Sequence, residues 1–79
     1  MTPQLRPVLA RLIAEATSGG IGADDALDGG SLRALGLDSL AALRLIDAID
    51  LEFGVEIEVG GILGPDTLDD IARSVEAKL

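Results

Sequence analysis

Seventy-nine residues without cysteine or histidine describe one small domain, with no disulfide to staple it and almost no ligands for a structural zinc ion. Fourteen acidic against six basic residues leave a net charge of −8, which repels nucleic-acid phosphates and anionic lipid headgroups and argues against binding to either. Hydrophobic residues make up 48% and Phe53 is the single aromatic, so aliphatic packing, not disorder, is expected, and helices supply it most readily.

The first helix is predicted over residues 4–18. Leu5, Val8, Leu9, Leu12, Ile13 and Ala16 fall at steps of three and four, one stripe down a helix. Thr2 and Pro3 read as cap and first turn, or Pro7 sits in the first turn of a helix starting near Leu5. Gly19 and Gly20 stop it.

Residues 19–38 form a long connection rich in glycine. Ile21, Leu27, Leu32, Leu35 and Leu37 are the apolar anchors expected to pack it on the helices. Ser31 is placed to cap a single turn through Leu32 to Leu35, which Gly36 ends.

The second main helix is predicted over residues 39–53, with Asp38 as its cap and no Gly or Pro inside. At 100° per residue, Ala42, Leu45, Ile46, Ile49 and Phe53 gather on a core-facing stripe. The opposite side mixes Arg44, Asp47 and Asp50 with Leu40, Leu43 and Leu51. That mixture reads either as a solvated face or as a docking surface.

Gly54 ends this helix, and Val55-Glu56-Ile57-Glu58-Val59 alternates strictly. No second strand is offered as a neighbour. The segment is therefore predicted to be extended, with Val55, Ile57 and Val59 inward, and residues 54–65 to include a short turn near Ile62 and Leu63. The last helix is predicted over residues 67–78. Thr67 and Asp70 make a capping-box pattern, and Leu68, Ile71, Ala72, Val75 and Leu79 form the stripe. The whole, residues 1–79, is an all-α bundle of three to four helices in one domain.

Catalysis has little to draw on. Without His, Cys or Tyr the usual bases and strong nucleophiles are missing. Asp24, Asp25 and Asp28 do not have EF-hand spacing, and Gly36-Leu37-Asp38-Ser39-Leu40 lacks the second glycine of a nucleophile elbow. Neither an enzyme nor a metal site is expected. No apolar run approaches the roughly 20 residues of a membrane span and no leader opens the chain. A soluble, cytoplasmic monomer with basic partner surfaces follows. Ser39 stands apart: it sits at the start of a long helix, its hydroxyl is expected to face water, and a phosphate there meets backbone N–H groups and the positive end of the helix dipole. The plain alternative is that Asp38-Ser39 is capping chemistry only.

Leu35-Gly36-Leu37-Asp38-Ser39-Leu40 followed by a helix resembles the attachment motif of the acyl carrier protein family and its peptidyl relatives. Leu32, Glu52 to Ile57 and Thr67 to Ala72 resemble further family segments in the same order. The resemblance implies a carrier-like bundle with 4′-phosphopantetheine covalently attached to Ser39, and with Asp38 as cap and as a residue for transferase recognition. It implies a phosphopantetheinyl transferase as partner, together with enzymes that load and process acyl, aminoacyl or polyketide thioesters. Leu40, Leu43, Asp47, Asp50 and Leu51 would meet those partners. Ala41, Ala42 and Arg44 stand where fatty-acid carriers are more acidic, which points to a specialised polyketide or nonribosomal peptide pathway. An unmodified acidic adaptor for a basic partner, and less so a regulatory subunit bringing Ca²⁺ or Mg²⁺, are the other readings of the chain.

Overall fold

The stripe of Leu5, Leu9, Leu12, Ile13 and Ala16 is buried along α1 (Leu5–Ala16) in a computed structural model that describes residues 4–59 and 65–79. Gln4 precedes the helix, and Thr2 and Pro3, read as a cap, lie outside the described residues. Pro7 occupies the first turn, where a missing N–H leaves no helix bond unmade. The helix stops at Ala16, the last residue of the stripe, two residues short of the bound expected from Gly19 and Gly20. Thr17 caps it, its Oγ1 donating to the Ile13 carbonyl at 2.9 Å and accepting from the Ile21 N–H at 3.0 Å. Ser18 then turns the chain at φ +53°.

The connection contains more helix than its glycines promised. α2 (Ala23–Leu27) and α3 (Leu32–Leu35) are single turns. α3 is the turn expected there: the Ser31 hydroxyl accepts from the Ala34 N–H and Gly36 closes the turn in the left-handed region. Ile21, Leu32 and Leu37 are buried and anchor the segment. Leu35, also expected to anchor it, is 39% exposed instead, because Leu32 already faces inward and a four-residue turn presents only one side to the core.

α4 (Ser39–Phe53) and α5 (Leu68–Lys78) complete the five helices found among the described residues, which include no strand. α4 buries Ala41, Leu45 and Ile49. Its inward face is therefore turned by about 50° from the stripe centred on Ala42, Leu45, Ile46, Ile49 and Phe53; Ala42, Ile46 and Phe53 pack at the edge. Val55, Ile57 and Val59 are buried while Glu56 and Glu58 are exposed, in an extended segment. The turn expected near Ile62 and Leu63 lies outside the described residues. α5 is capped by Thr67, whose Oγ1 accepts from the Asp70 N–H at 3.1 Å, and the Asp70 carboxylate faces Arg73 at 3.5 Å.

α1 is the hub, packing against α2, α4 and α5. Leu9, Ile13, Ile21, Leu32, Leu45, Ile49, Leu68, Ile71 and Val75 fill the interior, and no polar residue is buried among those described. Polar ties run around the outside. Arg6 pairs with Asp69 and donates to the Leu27 carbonyl at 3.0 Å, joining α1, α2 and α5. Arg11 bridges to Glu52 at 2.9 Å and Glu15 at 3.2 Å, joining α1 to the end of α4.

Candidate functional site

Ser39 is the first residue of α4 and is exposed. Its position is prepared on both sides. Gly36 takes φ +117°, a conformation that L side chains avoid. The N–H groups of Gly36 and Leu37 then donate to the Arg33 and Leu32 carbonyls at 3.1 and 2.9 Å. Buried Leu37 pins the approach. Asp38, in extended conformation, lets its Oδ1 accept from the Ala41 N–H at 2.7 Å while its carbonyl accepts from Ala42 at 2.9 Å. Asp38 is therefore the cap, and Ser39 does not serve as one. The Ser39 hydroxyl makes no hydrogen bond among the described residues, whereas Ser31 Oγ and Ser74 Oγ are engaged with Asp66 and the Asp70 carbonyl. The N–H groups of Ser39 and Leu40 also lack acceptors among the described residues, as the first donors of a helix do.

The exposed side of α4 gathers the remaining sequence candidates. Leu40, Leu43, Asp47, Asp50 and Leu51, with Arg44, fall within about 120° of arc and are all exposed. Leu40, Leu43 and Leu51 are 57%, 60% and 89% exposed, more than aliphatic side chains need to be on a helix with a filled core. Ser39 lies at the edge of this face. Leu35, expected in the core, joins it: Leu35 and Leu40 line one groove of about 210 Å³ between the end of α1 and the start of α4, with Asp38 and Arg44 also in its lining. Only the geometry of α3 reveals this contribution.

No group of three or more carboxylates among the described residues could hold a metal ion, and no described helix is long and apolar enough to cross a membrane. The Arg11 guanidinium is held above its ordinary value, first by its hydrogen bond to Glu52 and then by the charge of Glu15.

Against known families, residues 7–75 match the model described as the phosphopantetheine attachment site. The chain belongs to this family. Its members carry covalently attached 4′-phosphopantetheine. Such carrier domains are generally non-catalytic and interact with phosphopantetheinyl transferases and synthase enzymes. The small all-helical bundle suits a carrier domain. No curated protein and no solved structure matches the chain.

Proposed function

We propose that Ser39 carries the phosphopantetheine arm, and that the protein presents acyl, aminoacyl or polyketide groups to the enzymes of a specialised polyketide or nonribosomal peptide pathway. The observation that carries this reading is the hydroxyl on the first residue of α4, exposed and without a hydrogen bond among the described residues, inside the matched span. The surroundings fit a phosphodiester. The start of α4 offers the N–H groups of Ser39 and Leu40 and the positive end of a 15-residue helix, and Asp38 is tied to the backbone of Ala41. When bound, the arm supplies a terminal thiol that holds cargo as a thioester. The chain itself fixes the attachment point and offers a recognition face of Leu40, Leu43, Asp47, Asp50 and Leu51. Ala41, Ala42 and Arg44 support the specialised pathway, since they make the start of α4 less acidic than a fatty-acid carrier's. Mutual repulsion at a net charge of −8 favours a monomer, working in the cytoplasm, where coenzyme A is supplied.

The test is intact mass after incubation with coenzyme A, Mg²⁺ and a broad-specificity phosphopantetheinyl transferase. Wild type gains the mass of one arm and Ser39→Ala gains none. An arm on Ser39→Ala moves the attachment to another hydroxyl. A wild type that gains no mass supports the unmodified adaptor instead.

A further inference from the structure

The turn that leads to Ser39 is held from a distant part of the chain. α3 has four residues, too few to persist alone. Asp66 engages its first turn three times. The Asp66 carbonyl accepts from the Leu32 N–H at 2.7 Å, Oδ1 accepts from the Arg33 N–H at 3.1 Å, and Oδ2 accepts from the Ser31 hydroxyl. Ser31 Oγ accepts in turn from the Ala34 N–H at 3.2 Å. Three successive backbone donors, the orphans of a helix start, are thus satisfied by Asp66 and by the serine it holds. The same turn carries Leu35, which shares a groove with Leu40, the residue after Ser39.

We propose that Asp66 is a positioning residue for recognition of Ser39. By fixing α3 it sets where Leu35 stands on the surface that an arm-transferring enzyme meets; this rests on the reading of Ser39 as the attachment point. The hydroxyl itself does not depend on Asp66, because Asp38 starts α4 through its own bond to Ala41. Loss of Asp66 therefore weakens encounter with the transferase and spares the chemical step, which is a change in KM with kcat retained.

The experiment measures loading of the full chain from coenzyme A by a broad-specificity phosphopantetheinyl transferase. Intact mass is followed over a range of carrier concentrations, at a temperature where circular dichroism shows every variant folded. Asp66→Ala raises KM by about fivefold while kcat stays within about twofold. Asp66→Asn, which keeps an oxygen for the Arg33 N–H, falls between. Val75→Ala, buried in α5, controls for lost stability and leaves KM unchanged. Amide exchange at Arg33 and Ala34 quickens in Asp66→Ala and not in Val75→Ala. An unchanged KM in Asp66→Ala overturns the proposal, as does an equal rise in Val75→Ala. If Asp66→Ala does not fold, Asp66→Asn decides alone, and a wild-type KM in that variant overturns it. A wild type that never gains an arm removes the reading of Ser39 and this proposal with it, an outcome distinct from an altered KM.

Discussion

Asp38 and Ser39 are neighbours with opposite duties, and substitution separates them. Asp38 satisfies the Ala41 N–H at the head of α4, so Asp38→Ala is expected to cost about 1 kcal/mol of stability. Ser39 makes no hydrogen bond among the described residues and is exposed, so Ser39→Ala is expected to stay within about 0.5 kcal/mol of wild type. Urea titration of both variants checks this. A large loss in Ser39→Ala would return that residue to capping chemistry. Gly36 makes a second residue-scale case. At φ +117° a Cβ added there meets nothing within 4 Å, so Gly36→Ala is expected to cost only the backbone strain, about 1–2 kcal/mol, again read from urea midpoints. The centre of the motif was legible at this scale because Gly36, Leu37 and Asp38 each have one local duty: a left-handed glycine, a buried leucine, a cap. Asp66 was not legible as a partner of α3, since no pattern in the sequence links two positions more than thirty residues apart.

At the scale of elements, α4 shows why a helix can be certain and its orientation not. Apolar residues lie almost all round it, from Leu40, Leu43 and Leu51 outside to Leu45 and Ile49 inside. Periodicity alone therefore left its rotation loose by about 50°, and packing against α1 settled it by burying Ala41. The two sides respond differently to the same change. Leu45→Ala, at a fully buried position, is expected to cost about 2–5 kcal/mol, a large share of a small domain's stability. Leu51→Ala, at 89% exposure, is expected to cost less than about 0.5 kcal/mol. Thermal unfolding of the pair compares them directly. α1 and α5 were legible because each has one main stripe, although Val8 is only half-buried and Leu79, expected in the stripe of α5, lies beyond the helix at 70% exposure; the alternation at 55–59 rightly placed its valines and isoleucine inside. α2 was missed because five residues with one buried alanine are too short for any period to show. The Arg11 bridge between α1 and α4 adds no pH switch. A guanidinium raised above its ordinary value keeps its contribution at every pH below the arginine range and loses it only above.

For the molecule as a whole, charge governs encounter. A net charge of −8 attracts basic enzymes over about 10 Å at 0.1 M salt and much less at 1 M. Turnover by partner enzymes is expected to fall with rising salt. Asp47→Lys with Asp50→Lys is expected to lower that turnover and flatten its salt dependence, while circular dichroism shows helicity intact. Loss of helicity would assign the two carboxylates to structure. The interior takes no part in this, because no polar residue is buried among those described.

The tie between Asp66 and the turn at Leu32 also bears on how the protein is made. While synthesis has reached Ser39 but not residue 66, the ribosome holds a chain whose four-residue turn has lost its carboxylate and carbonyl acceptors. The turn at Leu32 thus takes its fastened shape only once Asp66 has been made, and a nascent stretch ending short of it displays Ser39 on an unfastened approach.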